Sequence, residues 1–329
     1  MKFLAKMSLI RVVWLLAFCI QGSNALRIAT TRRGAIITAA AALPFIDPSL
    51  ARAIDDATAP AAIGLKSAVE RTLKASDQNR APVRYVQQLF QGLDAADVYY
   101  PEWFSGKWRA SSKLVQVLAP AGPEVFSPGR NGSLALANAR EGVGDVLAYD
   151  VRWVKLPSGQ LVVDREYNLA SITRASMGGR AVQDIQTDGP DKCSLYIQPS
   201  AAPGSSVFRA ELRVIGRRTE PAGPEPAERF DCAEVVRQTI VVVPGEKADT
   251  RLVRAPQVKE VETICTYELE PRSGIMRGYQ RTATFLAADA SYTSGASLAE
   301  QSAVRLASGP GGRQVAIDVR TYEIVYERV

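Results

Sequence analysis

The sequence predicts a mainly β protein: an antiparallel sheet of about eight to ten strands closed into a barrel, preceded by one or two amphipathic helices. Three observations carry this. Beyond Trp108, apolar and polar residues alternate with a period of two, as in half-buried strands. Short turns rich in Pro, Gly and Ser separate these stretches. Helix-length patterns between them are almost absent, so the strands pair antiparallel, and that many strands form a barrel or a sandwich. Closure into a barrel also removes the free edges that promote aggregation.

The first 53 residues read as an address. In residues 1–25, Lys2, Lys6 and Arg11 precede the apolar run Val12–Ile20, and small residues follow at Ser23-Asn24-Ala25, the layout of an ER-type signal peptide. Residues 26–53 carry a second signal: Thr30-Thr31-Arg32-Arg33-Gly34, an Ala-rich core over Ala35–Ile46, and Ala51-Arg52-Ala53 as a cleavage site. The tandem resembles the presequence of a nuclear-encoded plastid protein in an alga with a secondary plastid. It implies delivery through the twin-arginine route to the thylakoid lumen. Seven of the 40 Lys/Arg but only one of the 34 Asp/Glu fall within residues 1–53, leaving 33 of each sign downstream. The near-neutral remainder does not read as a phosphate-tracking surface, which excludes nucleic acid as a partner.

Residues 54–97 read as a linker followed by helices. Ile63, Leu65, Val69 and Leu73 recur at helical spacing opposite Lys66, Glu70, Arg71 and Lys74, and a second helix starts near Pro82 and runs through Leu93. These segments cover either the barrel's open end or another protein, such as a thylakoid membrane complex docked through residues 63–93. Pro101 then stops helix formation and Gly106 permits a bend, while Trp103, Phe104 and Trp108 crowd three large rings into six residues. Residues 98–329 form the barrel domain. Its expected strands are Trp108–Leu118, Val146–Leu156, Leu161–Asn168, Lys192–Gln198, Phe208–Val214, Val235–Val243, Glu260–Glu270, Ile275–Leu286 and Val315–Arg328, with one short helix over Leu169–Gly178. Gly216–Glu228 and Ala287–Gly312 read as surface loops.

The chain has no histidine, which excludes Ser-His and Cys-His nucleophilic catalysis and histidine-ligated metals. No phosphate loop, CxxC pair or metal-ligand cluster is present, and nothing specifies a cofactor. Cys193, Cys232 and Cys265 permit one disulfide with a thiol left over, or serve as three small buried hydrophobes. Asp150, Asp164, Glu166 and Asp318 lie in or beside strands as candidate acids and bases.

The Gly106-x-Trp108 opening resembles the start of a lipocalin-like (calycin-type) barrel. That resemblance implies that Trp108 plugs the closed end, with Trp103 and Gly106 beside it and a last-strand arginine, Arg320 or Arg328, lying across its ring. Together with Tyr99-Pro101-x-Trp103-x-x-Gly106-x-Trp108, the Asp164-Arg165-x-x-Asn168 element resembles an uncharacterised family of cyanobacterial and plastid lipocalin-like proteins, a domain of unknown function. Arg165 either pairs with a neighbouring acid in a turn or points inward toward an acidic ligand beside Arg281 or Arg320. In the strand from Ile275, Arg277, Tyr279 and Arg281 share a face, and Arg320 and Tyr322 share one in the last strand; these residues line a pocket for an amphiphile, or the Arg277 face is solvated with Met276, Gln280 and Thr282 turned inward.

The expected function is therefore binding of a small hydrophobic or amphiphilic molecule (pigment, lipid or isoprenoid), serving photosystem assembly or maintenance. The alternatives are a docking protein with a filled barrel and a carboxylate-dependent enzyme acting on a pigment or lipid.

Overall fold

A computed structural model describes residues 64–75, 97–126, 131–198, 207–220, 228–243, 257–286 and 315–329. The two presequence signals, the second expected helix and the 287–312 segment lie outside the described residues. The protein is mainly β, a ten-stranded antiparallel sheet curled into a half-barrel, with few helices.

The strands are β1 (Gly106–Leu118), β2 (Val146–Lys155), β3 (Leu161–Val163), β4 (Val182–Thr187), β5 (Lys192–Ile197), β6 (Val207–Glu220), β7 (Arg229–Val243), β8 (Gln257–Leu269), β9 (Met276–Leu286) and β10 (Asp318–Arg328). Their spatial order is β3-β2-β1-β10-β9-β8-β7-β6-β5-β4, so every neighbour but one is consecutive in the chain. The exception joins the first strand to the last, β1 to β10, in register from Trp108 opposite Arg328 to Leu118 opposite Val319. Gly106 sits at φ +102°, a conformation that glycine adopts without strain, and turns the chain into β1.

The sheet does not close through its strands. β3 and β4 are its two edges, and helix α3 (Arg165–Met177) lies between β2 and β4, where closure would otherwise occur. The expected closure into a barrel is thereby corrected to a half-barrel, and two expected elements change with it. The strand expected over Leu161–Asn168 ends at Val163, because the Asp164 side chain accepts from Tyr167 N at 3.0 Å and starts a helix instead. Part of the expected loop after Gly216 continues β6 as far as Glu220, beyond an irregularity between Val214 and Gly216. β4 was not anticipated, and neither was helix α2 (Gly132–Glu141), which packs Leu136 and Ala139 against Val117 and Phe126.

Apolar residues on the inner face form the main core. Trp108, Ala110, Tyr149, Trp153, Phe230, Tyr267, Met276, Ile324 and Tyr326 meet there, with Phe104 seated among them. Gly278 leaves room for a ring: a Cβ there would stand 2.9 Å from the Tyr326 ring. On the outer face, α1 (Leu65–Leu73) lays Leu65, Ala68 and Val69 on Ala233, Val235 and Ile264. The apolar side of the first expected helix is thus spent on its own sheet. No described helix is long and apolar enough to cross a membrane.

Candidate functional site

One end of the half-barrel is filled. Trp108 is fully buried, and its indole donates to the Phe104 carbonyl at 2.9 Å. The Arg328 guanidinium lies 4.5 Å from the centre of the Trp108 ring and donates to the carbonyls of Trp103 (3.1 Å) and Ser105 (3.2 Å). Of the two arginines considered for this contact, it is Arg328 that makes it. Tyr100, Phe104, Trp153, Phe230, Tyr267 and Tyr326 complete the plug with edge-on and tilted ring contacts.

The open side is built by α3. The backbone of β2 presents unpaired groups beyond β3, and α3 supplies partners from its side chains and first turn. Arg152 N donates to Asn168 Oδ1 at 2.7 Å, and Arg152 O accepts from Asn168 Nδ2 at 3.2 Å and from Asp164 N at 3.0 Å. One turn along, Asp150 N donates to Ser171 Oγ at 3.0 Å. Asp164 also pairs with the Arg152 side chain. The Asp-Arg-x-x-Asn element is thus the dock by which a helix substitutes for a strand.

Arg165 points into the molecule. Its guanidinium donates to both oxygens of Glu234 (2.8 and 3.2 Å) and to Asp97 (2.8 Å). Arg217 joins from β6, 3.1 Å from Glu234, with a further bond to the Pro190 carbonyl at 3.0 Å. Burial pushes the Glu234 carboxyl up, but Arg165 and Arg217 outweigh it and hold the group below its ordinary value. Arg165 stays firmly charged: burial works against its charge, and Glu234 and Asp97 overcome that.

Between this cluster and the aromatic plug lies a cavity of about 380 Å³. Its wall is mostly apolar (Val151, Val163, Leu169, Ile172, Leu212, Val214), with Tyr100, Tyr149, Tyr267, Thr263, Gln280 and the three cysteines interspersed. All three thiols are free and buried. Cys232 and Cys265 sit opposite each other on β7 and β8; their mutual hydrogen bond and burial push the Cys232 thiol well up. Burial pushes Cys193 up to about 11, and it raises the phenols of Tyr100, Tyr149 and Tyr267.

Of the six residues expected to line a pocket, Arg165 lines this one. Tyr322 belongs to the inner core nearby. Arg320 is buried against Asp318 at 2.8 Å, over the Phe126 ring, away from the cavity wall. Arg277, Tyr279 and Arg281 lie on the opposite face of β9, while Gln280 faces the cavity. Arg277 pairs with Glu270, Tyr279 packs near α1, and Arg281 is fully buried with Glu262 at 2.6 Å. The candidate acids do not converge either. Asp150 pairs with Lys107 and Arg109, Asp164 with Arg152, Asp318 with Arg320, and Glu166 meets Thr187. Sequence reasoning missed Glu234, Asp97 and Arg217: Glu234 lies one residue before the strand expected from Val235, and Arg217 falls within the stretch expected to be a loop.

No curated protein and no solved structure matches the chain. Residues 92–304, which include α3, the charge cluster and every residue of the cavity wall, match a family described as a domain of unknown function, and the chain belongs to that family, DUF6816.

Proposed function

We propose that this domain binds one small, mainly apolar molecule in the cavity beneath α3, as a lipocalin-like carrier in the thylakoid lumen. The observation that carries the reading is the cavity itself, lined mostly by apolar side chains, with Arg165, Glu234, Asp191 and Lys192 as its charged residues. A volume of about 380 Å³ equals roughly a dozen liquid waters. It falls at the low end of small-molecule sites, which run about 300–1,000 Å³. That suits a single ring system or a short isoprenoid rather than a whole tetrapyrrole. The Trp108–Arg328 contact supports the lipocalin-like reading, and the tandem signals in residues 1–53 support the lumenal address.

Binding is favoured over catalysis by the direction of the shifts. The Cys193 and Cys232 thiols and the Tyr100, Tyr149 and Tyr267 phenols on the wall move up and Glu234 moves down, each away from the range where a group exchanges protons at neutral pH. The test is native mass spectrometry of the protein isolated from thylakoids, beside a Thr263→Trp variant that fills the cavity. A single noncovalent adduct in the wild type that vanishes in the variant is the expected result. An adduct that survives Thr263→Trp, or a wild type that neither carries nor takes up a ligand, overturns the reading.

A further inference from the structure

We infer that Cys232 and Cys265 are a redox pair, converted by thiol–disulfide exchange with a small disulfide into one cross-strand bond, and that Cys193 takes no part. The inference goes beyond the ligand reading and does not need it, since it rests on the two strands that carry the pair. It also chooses among the three pairings that the cysteine count leaves open.

Register carries it. β7 and β8 run antiparallel, with Cys232 directly opposite Cys265. Leu269 N donates to Glu228 O at 2.7 Å, and that pair lies four residues along from the cysteines. Hydrogen-bonded pairs recur at every second residue of an antiparallel ladder, so Cys232 and Cys265 form one as well, with Cα atoms about 5.5 Å apart. A disulfide spans Cα separations of about 4.4–6.8 Å, so the bridge requires no shift of the backbone. The side chains agree. Cys232, Glu234 and Val236 alternate along β7, and Thr263, Cys265 and Tyr267 along β8, all facing the cavity. The two thiols already share a hydrogen bond.

The same register sets Cys193 apart. It lies on β5 opposite Leu212, which in turn lies opposite Gln238. Gln238 is six residues along β7 from Cys232, about 20 Å, and β5 is two strands removed from β7. Cysteines whose Cα atoms are more than about 7 Å apart are not bridged without moving the chain. A metal is a poorer use of the pair. Among the described residues no three Cys, Asp or Glu side chains gather as a metal-holding group, whereas structural zinc takes four ligands.

In the exchange, a thiolate of the pair attacks one sulfur of the reagent, whose S–S bond breaks and whose other half leaves and takes up a proton. The second thiol gives up its proton and displaces the remaining half. Two protein S–H bonds and one reagent S–S bond become one protein S–S bond and two reagent S–H bonds. The cavity wall changes with it, because Cys265 Sγ, which donates to Gln280 Oε1 at 3.8 Å, has no proton left to give.

The test equilibrates the full chain in buffers of 2-mercaptoethanol and its disulfide, at a pH near the ordinary thiol value of about 8.5, starting from reduced and from oxidised protein. Acid quenching, alkylation and tryptic mapping read the pairing, because Cys193, Cys232 and Cys265 fall in separate peptides, residues 193–209, 230–237 and 260–272. The expected product is one cross-link, between the second and third of these, with Cys193 alkylated. Its equilibrium constant should exceed that of the same bond in the urea-unfolded chain by at least about tenfold. A folded chain in which Cys232 and Cys265 stay thiols, or in which either pairs with another cysteine, overturns the inference. So does a constant no larger than that of the unfolded chain.

Discussion

The sheet is mended along two seams, and they are mended by different chemistry. Where β1 meets β10, the first and last strands pair backbone to backbone from Trp108–Arg328 to Leu118–Val319. Where β2 and β3 face β4, a helix stands in, and the bonds that a strand would make are made by Asn168, Ser171 and Asp164. A strand approaches its neighbour to within about 5 Å, whereas a helix with its side chains is about 10 Å across. The first seam is therefore dry and filled by rings. The second stands off, and the gap it leaves is the cavity. Its charged edge follows from the same geometry, since α3 enters through Arg165, which has to find partners inside.

The comparison breaks most visibly at the filled seam. Trp108 is fully buried, and truncating it removes both ring packing and the hydrogen bond to Phe104. Trp108→Ala should lower the unfolding free energy by about 3–5 kcal/mol, measured as a drop in the urea midpoint at unchanged slope. The loss should be nearly the same at every pH between about 4 and 8, because no titrating pair holds this end together. A cost below about 1 kcal/mol would mean that the ring plug does not anchor the seam.

The helix seam should behave in the opposite way. Removing Arg165 as Arg165→Met leaves Asp97 and Glu234 with Arg217 alone, and should cost about 3 kcal/mol near neutral pH. Here the loss depends on pH, and its sign follows from Glu234. Its folded-state pKa lies below that of the unfolded chain, so pairing contributes stability above the ordinary glutamate value of about 4.3. That contribution disappears as the pH falls through the depressed folded value. Wild-type stability should therefore decline on acidification below about 4.3, and Glu234→Gln should flatten that limb. A limb unchanged in Glu234→Gln would place the acid sensitivity elsewhere.

How far these seams were legible in the sequence follows from the same contrast. Of the first seam, the resemblance of the Gly106-x-Trp108 opening to lipocalin-like barrels implies a last-strand arginine over the Trp108 ring and leaves Arg320 and Arg328 open; the fold puts Arg328 there. The face of β9 was not legible. Alternation distinguishes faces only where one is wet, and β9 is covered on both sides: Met276 is buried inward, and Arg281, Ala283 and Phe285 are buried outward. The arginine is hidden by its ion pair with Glu262 rather than by apolarity, and no spacing rule reports a partner on the next strand. Helix α3 was missed at its start for a related reason. Its buried positions are Ala170, Thr173 and Ser176, small or polar residues that draw no apolar stripe, while the bonds of Asn168 and Ser171 to β2 exist only in three dimensions. Glu234, Asp97 and Arg217 come from three separate stretches and are joined only by the fold.

The smallest effect tests whether side chains truly replace a strand. Asn168→Ala removes one bond to Arg152 N and one to Arg152 O, and should cost about 1–2 kcal/mol. Stability alone would not separate lost bonds from lost packing, but amide exchange does. With Asn168 gone, the Arg152 N–H has no partner on the helix side, so its exchange should quicken well beyond what the global loss explains. Asp150 N, still held by Ser171, should change less, and amides of the β1–β10 ladder should change only by the global amount. Asn168→Asp sharpens the point: it keeps an acceptor for Arg152 N while setting a carboxylate against the Arg152 carbonyl, so protection of that amide should be retained although stability falls. Equal quickening along both seams would show that α3 rests on β2 by packing alone, and the cavity would then owe nothing to the helix that borders it.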